Sequence, residues 1–521
     1  MSFTSFDFLL FAGVVLLAYY LIPGKWQWLL LLGASYCFYL SAGWEYLFFI
    51  LFTTVTTYLS TVMMGKRLEQ QDIYLKEHKA ELGREERKAY KAKVKSGNRV
   101  WLTICLVLNF SVLAFCKGCL IEPLHSAVQE GSLSFLRVGL PIGISFYMFQ
   151  SMGYVLDVYR GTAKAEKSFL RLALFVSYFP QLVQGPISKY NQLAPALNEP
   201  HPFDGREVSF GLQRVLWGYF KKLVIADRIA AAVIALRGPE YTGVGFLVLT
   251  VFYAVQIYGD FTGGIDITIG LSQALGIPLQ ENFIRPFFSK NIAEYWRRWH
   301  RSLGEWMKDY IFYPISVSGP MRSLSTAARK RFPKFGKRLP VYVATVATWF
   351  ATGIWHGFSP NFILWGMLNC AVIIASEELA PLYKRFHDRF HLKEKKWYGG
   401  FEILRMFCLM NLIRACDLFA DVGEYFRRVG SIFTTFNAHI LWDGTLMNLG
   451  LTGLDYIILA VGVVILFCVS LIQEKGPIRE RLAKQPAALR YGLIILLLIV
   501  VLLMGQYGIG YDASNFIYNQ F

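Results

Sequence analysis

Charged residues are scarce in this 521-residue chain: Asp, Glu, Lys and Arg make up 17% of it, against roughly 25% in an ordinary soluble domain. Cysteine is scarcer still. There are eight, and Cys37, Cys105, Cys370, Cys408 and Cys468 sit inside apolar runs as small hydrophobes, which argues against a disulfide framework. Cys116 and Cys119 form a C-x-x-C, but no second pair completes a zinc ribbon. There is no internal repeat and no low-complexity segment, which weighs against an inverted-repeat transporter. The first residues, MSFTSFDFLLFAGVVLLAYYLIPGKW, carry no basic n-region and no A-x-A cleavage site. They read as a retained first span rather than a secretory signal.

What the chain does have is apolar surface: 55% of its residues are hydrophobic and the mean hydropathy is +0.38. A water-soluble enzyme of this length is excluded, and the expected fold is an all-α polytopic membrane protein. About 20 apolar residues cross a bilayer core as a helix. Candidate stretches are 3–22, 26–40, 44–64, 100–120, 133–152, 169–183, 210–236, 243–275, 340–355, 362–379, 401–420, 449–472 and 491–507, so about 11 to 13 spans are expected. Several are short or interrupted by Gly and Pro. Irregular backbone at membrane depth survives only around protein or a water-filled cavity, so re-entrant and interfacial segments around a central tunnel are expected.

The formal net charge is +17, which reads as membrane topology rather than nucleic-acid binding. Residues 65–99 hold 11 Lys/Arg against 6 acids, 322–338 hold 7 and none, and 384–396 hold 6 and 2. The positive-inside rule puts all three in the cytoplasm.

Two stretches carry chemistry. In 284–315, Asn291 and Glu294 form a capping-box pattern that starts a helix. Trp296, Trp299, His300, Leu303, Met307 and Tyr310 then share one broad face, with Arg297, Arg298, Arg301, Glu305 and Lys308 on the others. This is an amphipathic helix suited to the cytoplasmic interface. In 341–367, His356 lies in an apolar run between Gly353 and Gly357, with Pro360 behind. An ionisable residue at membrane depth is costly and points to function, although a buried neutral imidazole is also a common core residue. His78, His125, His201, His387, His391 and His439 read as solvated surface. No metal site is expected, because the two intramembrane histidines lack convergent ligands.

These motifs resemble the membrane-bound O-acyltransferase family. W-R-R-W-H-R-S-L-G-E-W-M-K-D-Y at 296–310 and G-I-W-H-G at 353–357 are similar to its histidine motifs. F-P-Q-L-V-Q-G-P-I at 179–187, Y-G-D-F-T-G-G-I-D-I-T-I-G-L at 258–271 and the ending F-I-Y-N-Q-F resemble the bacterial alginate O-acetyltransferase and D-alanyl transfer branch. The length resembles the alginate type more closely. Asn519, where the branch commonly has Phe, is a departure.

The resemblance implies one membrane domain over 1–521, with a cytoplasmic basic loop at 65–99, a catalytic core at 284–367 and an aromatic tail at 511–521. It implies a multi-pass protein of the inner (cytoplasmic) membrane. The reaction would carry an acyl group, acetyl first among candidates, from a cytosolic thioester (acetyl-CoA or an acyl carrier protein) to an extracytoplasmic polysaccharide or envelope polymer. The last step would pass through a partner acyltransferase of SGNH type. His356 carries over as general base. His300 carries over as the second histidine, on the cytoplasmic side, positioning the donor or polarising its carbonyl. Trp299 and Trp355 would exclude water. Asp260, Asp266 and Gln184 are expected in the tunnel or behind it, one Asp orienting a histidine or serving as a structural polar contact. Tyr518 is a candidate acyl relay. Teichoic acid D-alanylation is the alternative within the family. A flippase for a lipid-linked sugar is the alternative from another class, and a membrane scaffold would leave His356 unexplained.

Overall fold

The computed structural model describes residues 1–117, 141–508 and 511. Cys119, His125, the start of the 133–152 stretch and Tyr518 with the rest of the aromatic tail lie outside the described residues. Among those described, all regular structure is helical and no strand occurs. Six helices among the described residues are long and apolar enough to cross a membrane: Trp44–Glu77, Arg84–Cys116, Val244–Ala274, Pro360–Glu378, Gly453–Lys475 and Ala487–Met504. The chain is an all-α, multi-pass membrane protein.

The other candidate stretches are shorter or interrupted. Phe6–Leu21 is an apolar helix of 16 residues, and Gln27–Leu40 has 14. The stretch 169–183 splits into Phe169–Ser177 and Phe179–Leu182. The stretch 210–236 contains a π-helix at Phe220–Ala226. Of the 11 to 13 expected spans, six are long apolar helices, and several others are the short or interrupted segments that the Gly and Pro breaks suggested.

The chain forms two compact units, Met1–Leu212 with Thr268–Gln280, and Gln213–Ile267 with Glu281–Phe521. In the first, Leu47–Glu77 and Arg84–Cys116 pack as a hairpin. It carries a stripe of small polar residues: Thr53, Thr57, Ser60 and Thr61 are all buried. Small residues let helix backbones approach and let side chains bond across lipid-embedded seams. Asn109 Nδ2 donates to Thr56 Oγ1 at 2.9 Å. The 179–187 block bends on an amide chain, Gln181 Nε2 donating to Gln150 Oε1 at 2.8 Å and Gln150 Nε2 to Phe175 O at 2.6 Å.

In the second unit, the π-helix sends two consecutive lysines into the interior. Lys222 Nζ lies 2.5 Å from Asp260 and 2.7 Å from Asp227. Lys221 Nζ lies 2.5 Å from Asp266, whose other oxygen is 2.8 Å from Arg214 Nε. Arg214 also forks onto Glu281, with both bonds at 2.6 Å. Glycines make this approach possible. A Cβ on Gly218 would stand 2.6 Å from Gly263 O.

A buried charge stripped of its partner costs about 3–5 kcal/mol. Lys222→Met should therefore lower stability by about that much, since Asp260 and Asp227 keep their charges. Thermal unfolding of the detergent-solubilised chain measures it. Adding Asp260→Asn and Asp227→Asn should recover part of the loss; no recovery would mean that packing, not charge, holds this turn.

Candidate active site

His356 is the last residue of helix Pro333–His356, which runs unbroken through Pro340 and Gly353. The break expected around His356 comes only after it, at 357–359, before Pro360 opens the next helix. Gly353 therefore releases no backbone; it permits contact. A Cβ there would stand 2.7 Å from Phe362 O, and one on Gly366 would stand 2.5 Å from Trp349 O. The two helices form a tight hairpin with His356 at its tip. At the other end Arg338 pairs with Glu378. Eighteen residues at 1.5 Å each put His356 about 27 Å from Arg338.

The 292–310 region is not one amphipathic surface helix, as its periodicity suggested. It is a seven-residue helix, Ile292–Arg298, followed by a second that starts at Arg301 and runs through a π turn at Lys308–Phe312 to Ser316. The break is at His300, which adopts a left-handed conformation (φ 45°). Such a backbone costs a non-glycine residue of order 1–3 kcal/mol and survives only where the surroundings enforce it. Asn282 does the enforcing. Its Oδ1 accepts from both Ser302 N and Ser302 Oγ at 3.0 Å, and its O accepts from Arg301 N at 3.0 Å. Its Nδ2 then faces His300 Nδ1 at 3.2 Å. Asn282 Oδ1 lies 3.3 Å from the same ring nitrogen, so the amide engages His300 through Nδ1. His300 is 3% exposed, and burial lowers its pKa from the ordinary 6.5 to about 3, so the imidazole is neutral.

The two histidines are separated by a single side chain. The His300 ring lies 6.3 Å from that of Trp355, which lies 4.8 Å from His356. Trp365 meets His356 at 4.7 Å, and Trp296 and Trp349 complete the wall at 5.8 and 6.0 Å from Trp365. Trp299 lies over Tyr295 and beneath the Arg414 guanidinium, 4.1 Å from its ring centre.

Asp260 and Asp266 belong to the lysine network rather than to a lone-carboxylate pattern, although Phe261 between them meets His300 edge-on at 4.9 Å. Gln184 lies in the first unit, buried, with both amide atoms lacking a partner. Three of the histidines read as solvated are half-buried and bonded: His78 to Tyr74 O, His201 to Ala196 O and His387 to the Tyr398 hydroxyl. Asn282, Trp365, Lys221, Lys222 and Arg414 were not singled out by sequence. The last three carried a usable signal, an ionisable residue inside an apolar stretch.

Comparison with known proteins matches residues 163–328 and 330–417 to the model of the membrane-bound O-acyltransferase family. The matched segments hold both histidines and Arg414. A probable alginate O-acetylase of Azotobacter vinelandii is 34% identical over 376 residues, 70% of this chain and 66% of that protein. The chain thus spans just under two thirds of that relative. A peptidoglycan O-acetyltransferase of Helicobacter pylori is 25% identical over 66% of this chain and 71% of its own. A teichoic acid D-alanyltransferase of Bacillus subtilis is 28% identical over 44% and 58%.

The depressed His300 pKa has a signed consequence. Between pH 6.5 and about 3 the unfolded chain binds a proton that the folded chain does not. Stability therefore falls as pH drops through that window, by at most about 1.4 kcal/mol per pH unit. His300→Gln should flatten the difference in melting temperature between pH 7 and pH 5; an unchanged slope would show that His300 is not buried as a neutral ring.

Proposed function

Because the chain belongs to the membrane-bound O-acyltransferase family, we propose that it is an O-acyltransferase, and an O-acetyltransferase in particular. It moves an acyl group from a thioester to a hydroxyl of a polysaccharide or cell-envelope polymer. The observation that carries this reading is His356 at a helix end, within an aromatic wall, one side chain away from a neutral His300.

Each histidine has a role that its geometry suits. The acceptor oxygen attacks the thioester carbonyl carbon while His356 takes the hydroxyl proton. The carbonyl electron pair moves onto oxygen, which His300 stabilises as a hydrogen-bond donor. The pair returns, the C–S bond breaks, and the sulfur leaves with the proton from the His356 imidazolium. Ester and thiol are the products. Trp299, Trp355 and Trp365 keep out water, which would otherwise compete as acceptor.

The donor in this reading is acetyl-CoA or an acyl carrier protein, met at the basic segments 65–99 and 322–338 on the cytoplasmic face of the inner membrane. An extracytoplasmic SGNH-type partner completes delivery to the polymer. Tyr518 is the relay residue of this reading, holding the acyl group as an aryl ester between the two transfers. D-alanyl transfer is a second reading, favoured by the Bacillus subtilis match.

His356→Ala should cut acyl transfer by about 10²–10⁴-fold, the usual worth of a general base, with the protein still folded. Ester content of the cell envelope and thioester consumption by purified protein read this out, and normal transfer by the variant rejects the base. His300→Ala should reduce transfer less. Tyr518→Phe keeps the ring but removes the hydroxyl, so transfer at the normal rate in that variant rules out the relay.

A further inference from the structure

Helix Ala380–Phe390 has 11 residues and follows helix Pro360–Glu378 with only Leu379 between them. Leu382, Tyr383, Phe386 and Phe390 fall at i, i+1, i+4 and i+8, so they share one face. Each is between 42% and 61% exposed, so the fold leaves this aromatic face open. An isolated helix this short is marginal in water even without apolar side chains to hide. The face therefore calls for an apolar cover.

What covers it follows from how the helix is held. Helix Pro360–Glu378 is long and apolar enough to cross a membrane, and Glu378 at its end pairs with Arg338 at the foot of the His356 hairpin. Further along, His387 Nε2 lies 2.7 Å from the Tyr398 hydroxyl, in the first turn of helix Lys396–Arg414. Ala380–Phe390 is thus tied at its start to the end of a membrane-crossing helix and, through His387, to the start of the helix that follows. A segment tied at both places runs along the bilayer edge rather than out from it. Trp397, exposed beside the second tie, is a side chain of the kind that collects at headgroup level.

Charge narrows the choice of lipid. By helical geometry Arg385 and Arg389 line one edge of the aromatic face, His387 the other, and Lys384 and Asp388 the back. The acids nearby are engaged elsewhere: Glu378 with Arg338, Glu402 with Lys393, and Glu394 beside His391. An apolar face edged by arginines inserts at the boundary between headgroups and acyl chains, where guanidinium meets phosphate. A second copy of the chain on this face would instead bring like charges together.

We propose that helix Ala380–Phe390 lies in the headgroup layer with its aromatic face toward the acyl chains, and that Arg385 and Arg389 make it a binding surface for anionic phospholipid. Binding of this kind needs only a bilayer and holds whichever acyl group or acceptor the enzyme uses. The test is hydrogen–deuterium exchange over 380–390 of the full chain, in nanodiscs of phosphatidylcholine and of an equal mixture with phosphatidylglycerol. Exchange should be at least about tenfold slower in the mixture, since each Lys or Arg at an anionic surface contributes about fivefold. Arg385→Gln with Arg389→Gln should exchange at the phosphatidylcholine rate in both discs. Phe386→Ser should speed exchange in both. All three side chains are exposed, so the variants should melt as the parent does. Glycerol 1-phosphate added to phosphatidylcholine discs should give no protection. The lipid surface is overturned if the two compositions protect equally, if the double arginine variant keeps the difference, or if Phe386→Ser leaves exchange unchanged. Protection by glycerol 1-phosphate would mean a site for free phosphate, and a dimer that Phe386→Ser splits would mean that a second copy covers the face; either result rejects the lipid.

Discussion

Lys221 and Lys222 are adjacent in sequence, and each is buried against carboxylates of one helix, Val244–Ala274. Without water to solvate them, charges at this depth persist only in pairs. In a regular α-helix, consecutive side chains point about 100° apart, so one lysine of the two would turn away. The wider turn at Phe220–Ala226 lets both reach, Lys222 to Asp260 and Lys221 to Asp266. That clamp holds Phe261, which sits between the carboxylates in sequence and against the His300 ring in space. The position of one histidine thus follows from ion pairs that never touch it.

The second constraint is conformational. His300 is held left-handed by the hydrogen bonds that Asn282, eighteen residues earlier, accepts from Arg301 and Ser302. Strain of this kind concentrates at functional sites, where it fixes a group before the substrate arrives. His356 is fixed differently, by the glycine contact of Gly353 and Gly366 that closes the hairpin behind it.

Much of this was legible in sequence. Apolar runs and sparse charge gave a helical membrane protein, and His356 declared itself as an ionisable residue among helix breakers. The break at His300 was not legible, because 3.6-residue periodicity runs through 292–310 and the cause of the break lies outside that stretch. Lys221, Lys222 and Arg414 were present in runs read only for hydropathy; averaging over a window hides single charges. That Asp260 and Asp266 have cationic partners depends on which residues the π turn brings inward, and no local pattern records that.

The hairpin of Pro333–His356 and Pro360–Glu378 has one more property. It carries Arg338 near its foot and an imidazole at its tip, about 27 Å away by helix rise. For any acyl donor arriving at the foot, the hairpin acts as a ruler. A carrier that presents its acyl group on a slender extended arm can span that length, whereas one with the group close to a bulky body cannot. Reach alone would then sort donors, without any pocket shaped to recognise them.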